Sequence, residues 1–197
     1  MARKPTPHAR ERILDVAGEL FDAHGIHAVG LQQIIDTLGV GKNLLYREFA
    51  TKDDLVVAYL HRCRVEWERI VADAIAPHPD DPAARLIAIV RVTAGRATAP
   101  GYRGCPVSNT HAEYADQNHP ARAEAVGHYQ DIRRVLQVLA AQAGAPDPHT
   151  LGDRLALIID GVNVNGAILG REGAAAAAVA FAEDVVKQAL RTTPVSG

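Results

Sequence analysis

Residues 39–55 read GVGKNLLYREFATKDDL. The glycines on either side of Val40 punctuate the chain and predict a tight turn. Lys42 to Glu48 then predicts a short helix. Thr51-Lys52-Asp53-Asp54 has the form of a capping box with Asp in place of Glu, so a further helix opens at Thr51. Between Tyr46 and Lys52 the chain sets a phenol, a guanidinium, a phenylalanine and an ammonium. That mixture suits either an ordinary helix end or a surface that grips phosphates.

Upstream of the turn, Leu31 to Leu38 predicts a second short helix with Leu31, Ile34, Ile35 and Leu38 inward. Before it, about Pro7 to Ala23 has helical spacing through Ile13, Leu14, Ala17, Leu20 and Phe21, with Gly25 as the stop. Two short helices joined by a glycine turn and leaning on a first helix form a helix-turn-helix candidate. The second of the pair must offer a narrow polar face to a major groove about 12 Å wide. Lys42, Asn43 and Arg47 supply that face, and at least one of Leu44 and Leu45 turns back onto Ile34 and Leu38. Tyr46 joins an apolar body to a hydroxyl suited to phosphate. Lys52 opens the next helix, where free backbone N–H groups also favour an anion. Gln32 and Gln33 add backbone or base-edge contacts from the preceding helix. Phe49 reads as core.

Downstream, helical spacing continues and period-two alternation is almost absent, so the chain is all-α with about nine helices. Proline stands at first-turn positions in Thr6-Pro7, Asp81-Pro82, His119-Pro120 and Asp147-Pro148, with Cys105-Pro106 as a fifth case. The helices expected after the turn run from about Thr51 to Ala76, Pro82 to Thr98, Pro120 to Ala143, Pro148 to Leu169 and Gly173 to Thr192. Segment 102–116 is expected to be partly helical. The division expected is a DNA-binding domain over 1–52 and a larger helical domain over 53–197.

The 197-residue chain is 48% apolar with a net charge of −2. Architectural DNA binders live on phosphate neutralisation, and a near-neutral chain argues against that class. The basic residues Arg3, Lys4, Arg10 and Arg12 precede the folded body as a candidate arm. The longest apolar run, Ala174 to Ala182, is far short of the ~20 residues that span a bilayer. The N-terminus lacks the apolar core of a secretory signal. A cytoplasmic protein without a membrane segment is the reading. The two cysteines, Cys63 and Cys105, sit in no metal-ligating or redox pair. His111, His119 and His128 have neither zinc-finger nor HExxH spacing, so no metal or other cofactor is expected, and these histidines read as solvated or loop residues. No nucleophile–base pair at a recognisable spacing and no phosphate-cradling glycine loop supports an all-helical enzyme using the 102–133 segment.

The residues Ile13, Leu14, Ala17, Leu20 and Phe21, then Gly25, Ile34, Gly39 and Val40, then Leu45, Tyr46, Phe49, Lys52 and Leu55 keep a consistent order and gaps. This set, over about residues 8–56, resembles the N-terminal domain of TetR-family transcriptional repressors. Gly30 and Gly41 stand where that family usually carries a hydroxyl cap, and Gly41 at the head of the recognition helix joins the DNA-binding set. The resemblance implies a ligand-responsive regulator, not an enzyme. Such a protein binds a palindromic double-stranded operator as a homodimer and is released by a small-molecule effector.

The resemblance further implies dimerisation through the last two helices. The eighth is apolar nearly all round, which places it in a core or at an interface. Leu157, Gly161, Val164, Ile168, Phe181 and Val185 are the expected dimer interface. Gly161 and Gly166 are expected to admit another helix closely. For the effector, Tyr102, Cys105, Asn109 and Tyr114 in segment 102–116, with Tyr129, Arg133 and Asn163, form the candidate ligand-binding set. Cys105 beside Arg103 near a helix start gives a second reading, a thiol that senses electrophiles or oxidants.

Overall fold

A computed structural model describes residues 8–191. Among these residues there are nine α-helices and no strand: α1 Ala9–His24, α2 Leu31–Leu38, α3 Lys42–Glu48, α4 Lys52–Ile75, α5 Pro82–Ala97, α6 Pro106–Glu113, α7 Pro120–Gln142, α8 Pro148–Leu169 and α9 Ala178–Arg191. The expected helix start at Pro7, the basic residues Arg3 and Lys4, and the expected end at Thr192 lie outside the described residues.

Local chemistry sets most boundaries. Thr51 N–H donates to Asp54 Oδ2 at 2.9 Å while Asp54 N–H donates to Thr51 Oγ1 at 3.1 Å, a reciprocal box at the head of α4. Asp81 and Asp147 accept from Ala84 N–H and Thr150 N–H, each with proline inside the first turn of the helix it caps. Gly39 closes α2 at φ 64°, ψ 32°, a left-handed conformation that a side chain would strain. Its N–H and that of Val40 satisfy the last carbonyls of α2, and α3 starts three residues later.

The described chain forms two compact units. The first holds the residues up to Arg64 together with Pro106–Val126, and the second holds Val65–Cys105 with the residues from Gly127 on. The first therefore contains the stretch expected as the helix-turn-helix domain and adds the front of α4 and the α6 segment. Its core is Ile13, Ala17 and Phe21 from α1, Ile34 and Ile35 from α2, Leu45 from α3, and Leu55, Val56, Tyr59 and Leu60 from α4. Ile26, Val29 and Phe49 fill the joints. Leu45 is fully buried and Leu44 half-buried, which divides the two leucines as the groove-facing geometry requires. The Tyr59 ring meets Phe21 edge-on at 5.4 Å, and its hydroxyl donates to Asp22 on α1. Arg62 adds a bond to Asp15 at 2.6 Å and another to the Leu14 carbonyl, so α4 is tied to α1 along its front half.

In the second unit Leu86, Ile89 and Val90 of α5, Leu136 and Leu139 of α7, Leu151, Leu155, Ile159 and Val162 of α8, and Val186 of α9 form one core. Gly166 sits where α8 crosses the end of α5. A Cβ there would lie 2.5 Å from the Ala97 carbonyl oxygen. The close neighbour at Gly166 is thus α5 of the same chain, whereas Gly161 faces open space. Cys63 is half-buried, and His128, expected to be solvated, is buried. The ninth helix also starts later than expected. Gly170 ends α8, residues 170–172 and 174–177 wind as short 3-10 turns around Gly173, and α9 begins at Ala178.

Candidate nucleic-acid interface

The recognition candidate α3 is seven residues long and buries one side chain, Leu45. Its polar residues other than the half-buried Glu48 are left outside. Lys42, Asn43 and Arg47 are exposed, and Tyr46 keeps 41% of its surface. The Lys42 ammonium lies 5.5 Å from the centre of the Tyr46 ring, one helical turn on. Arg47 forks onto the adjacent Glu48 at 2.9 and 3.1 Å. An exposed ion pair of this kind contributes only ~0–1 kcal/mol, so exchanging Glu48 for a phosphate costs little. On α2, Gln32 and Gln33 are exposed, and Gln32 donates to Asp36 at 2.7 Å. Gly30 and Gly41 head their helices in extended conformation and offer no side-chain cap. The N–H groups at the start of α3 are left to solvent or an anion.

Lys52 is half-buried at the first position of α4. Burial pushes its pKa down, and the charges of Glu113 and Asp53 push back. The net shift is downward. Phe49 is buried as expected. Beside it lies Arg10, expected with Arg12 in a basic arm ahead of the folded body but placed, like Arg12, inside α1. Arg10 of α1 donates to the Glu48 carbonyl at 2.9 Å and stacks over Phe49 at 4.2 Å, closing the C-terminal end of α3. His27, at the corner after α1, pairs with Glu113.

The effector candidates fall in both units. In the second, the Tyr102 hydroxyl donates to Asn163 Oδ1 at 2.6 Å. Burial, with the nearby Cys105 charge next, pushes the Tyr102 phenol up to about 12, so it stays a donor. Cys105 is half-buried immediately before α6, and Tyr129 is half-buried on α7. Arg133 is exposed and clamps Asp153 at 2.6 and 2.8 Å. Asp160, one turn before Asn163, is half-buried, and burial alone raises its pKa. Asn109 and Tyr114 belong to the first unit, with Asn109 exposed and Tyr114 stacked on His119 at 4.0 Å. Among the described residues no group of three or more His, Cys, Asp or Glu is placed to hold a metal, and no helix is long and apolar enough to cross a membrane.

Three N-terminal helices, a short polar recognition helix and a helical second unit define a helix-turn-helix DNA-binding protein. The sequence matches the family described as bacterial regulatory proteins, tetR family, over residues 13–59, and the tetracyclin repressor-like C-terminal domain over residues 82–182. A TetR-family transcriptional regulator from Streptomyces coelicolor superposes with a TM-score of 0.88 at 31% identity, over 93% of this chain and 97% of that one. The transcriptional activator FasR of Mycolicibacterium smegmatis is 40% identical over 60 residues, 30% of this chain and 27% of that protein. An HTH-type transcriptional regulator of Staphylococcus aureus is 37% identical over 60 residues, 30% of this chain and 32% of its own length. The match thus spans about a third of these curated relatives. The chain belongs to the TetR family of transcriptional regulators, a family of DNA-binding proteins rather than enzymes.

Proposed function

We propose that the protein is a cytoplasmic, ligand-responsive repressor that binds a palindromic operator as a homodimer and leaves it when a small molecule binds. The observation that carries this reading is the outward set on α3. Lys42, Asn43, Tyr46 and Arg47 are all exposed on a helix held by one buried leucine. Gln32 and Gln33 flank it, Gly41 opens it, and Lys52 presents a cation at the next helix start. Phosphate contacts from Tyr46 and Lys52 position the helix, and Asn43 and Arg47 meet base edges. Two such helices ~34–36 Å apart read both halves of a two-fold site.

Dimerisation is supported by an apolar face on α8 and α9. Leu157 is 71% exposed, Ile168 73% and Phe181 58%, with Val164 and Leu169 also largely open. A groove of about 720 Å³ runs along it, lined by Leu157, Gly161, Phe181 and Val185 among others. Exposed apolar surface of this extent marks an interaction site.

For the effector, the second unit offers Tyr102, Cys105, Tyr129, Arg133 and Asn163. The Tyr102–Asn163 pair supplies a donor and an acceptor that a ligand can displace. A ligand that binds one arrangement of the dimer better than the other shifts the population away from the operator-binding form.

A gel-shift titration against the gene's own upstream region tests the reading. The expected result is a sequence-specific complex that survives competitor DNA. Absence of such a complex at low salt, with folded protein, would sink it. A reporter driven by the same region gives the sign: expression rises when the gene is deleted if the protein represses.

A further inference from the structure

Glu113, the last residue of α6, reaches back to the corner that follows α1. Its carboxylate accepts from the Ile26 N–H at 2.8 Å, from the His27 N–H at 2.7 Å, and lies 3.2 Å from His27 Nδ1. Three groups converge on one anion, and charge-assisted bonds of this kind are the strong ones. Burial works to raise the Glu113 pKa, but the hydrogen bonds from His27 and Ile26 prevail and hold it below the usual carboxylate range. The fit at the corner is close, since a side chain on Gly25 would meet Glu113 Oε1 at 3.0 Å.

The charge of the same carboxylate also acts on Lys52. Glu113 is the largest of the charges that oppose the effect of burial on that ammonium, ahead of Asp53. The neighbouring residues extend the grip. Tyr114 meets His27 edge-on at 5.0 Å and stacks on His119, whose Nε2 lies 3.3 Å from Asp53 Oδ2. The titratable groups around Glu113 and Lys52 are therefore His27 at the corner, Asp53 on α4, and Tyr114 and His119 on the segment after α6. Residues 113–119 thus touch the chain just before α2 and just after α3, the two ends of the short-helix pair.

We propose that Glu113 is a positioning residue for DNA binding: it grips the Ile26–His27 corner, and so fixes the frame in which α2, α3 and the head of α4 meet the phosphates. This rests on the reading above that Lys52 contacts a phosphate. Glu113 itself never touches DNA. Its effect is transmitted through the corner and through the charge of Lys52.

The test uses full-length wild type, E113Q and E113D on a duplex carrying the upstream site, with affinity measured against salt and against pH. Glutamine keeps the length but turns an amide toward N–H groups that need an acceptor, and it removes the charge opposite Lys52. E113Q is expected to bind roughly tenfold more weakly. The slope of log affinity against log salt should fall by about the share of one phosphate contact. The loss of binding at alkaline pH should move to lower pH, because a half-buried lysine without an opposing charge gives up its proton sooner. E113D keeps the charge but not the reach, so its alkaline limb should match wild type while its affinity stays reduced. Circular dichroism and sedimentation check that each variant keeps its fold and assembly. Wild-type affinity, slope and pH profile in E113Q would overturn the proposal. So would weaker binding with an unchanged slope and alkaline limb, which is the mark of a merely structural residue. If E113Q does not fold, E113D decides alone, and wild-type affinity in it overturns the proposal. A wild-type protein that forms no specific complex would instead count against the repressor reading.

Discussion

Asp160 is a carboxylate in a largely apolar helix, half-buried, with no hydrogen bond or ion pair among the described residues. A carboxylate whose pKa is raised in the fold binds protons more readily there than in the unfolded chain. Its ionised form therefore weakens the fold at neutral pH, and stability is regained as pH falls through the raised value. Asp160→Asn should raise the melting temperature at about pH 7, and the gain should shrink toward about pH 4, where aspartate takes up its proton anyway. Thermal unfolding at the two pH values checks this; a loss of stability at pH 7 would give Asp160 a partner it keeps in solution. Arg47 sits at the opposite extreme, exposed and paired with Glu48. If it meets a phosphate, Arg47→Ala should weaken binding to all sequences alike and lower the salt slope by about one. If it reads a base, the variant should relax preference at one position and leave the slope nearly unchanged. Affinities for a panel of site variants at several salt concentrations separate the two.

At the scale of elements, α4 depends on a box that was legible residue by residue. Thr51→Ala removes the Oγ1 that accepts from Asp54 N–H and should cost about 1 kcal/mol in urea unfolding. Thr51→Ser should restore most of it, and an unchanged midpoint in the alanine variant would show that the box is redundant. The bounds of α2, α3 and α8 follow from the sequence because turn glycine, Asp-Pro caps and apolar spacing act within a few residues. What the sequence concealed has the opposite character. Arg10 closes α3 across 38 residues, and Glu113 holds the corner across 87. Neither residue type nor spacing marks such pairs, because their partners are backbone groups that any sequence carries. The alanine run before α9 misled for a related reason. Alanine favours helix, but Gly170 and Gly173 interrupt the turn that would have propagated it, and the run winds as 3-10 instead.

For the whole molecule, the largest unpaid cost is the outer stripe of α8. Leu157, Gly161, Val164 and Ile168 recur at helical spacing on the side away from Leu155, Ile159 and Val162. The inner set already completes the core of the second unit, so nothing inside the chain explains why the outer set is apolar. Removing a side chain such as leucine or isoleucine from water contributes ~1.5–3 kcal/mol, and a second copy on this face would cover several at once. Gly161 faces open space in the single chain and would let the backbones of two copies approach if this face is the interface. Ile168→Glu places a charge on that face at a side chain that is 73% exposed in the single chain. Sedimentation should therefore find monomers with an unchanged helical spectrum. Val138→Glu, an exposed valine on α7, serves as the control and should leave the dimer intact. An Ile168→Glu dimer as tight as wild type would move the interface off this face. Monomers should also bind operator with a salt slope about half that of wild type, since each carries only one set of phosphate contacts. A monomer with the full slope would show that one reading unit suffices, and the palindrome would then lose its physical reason.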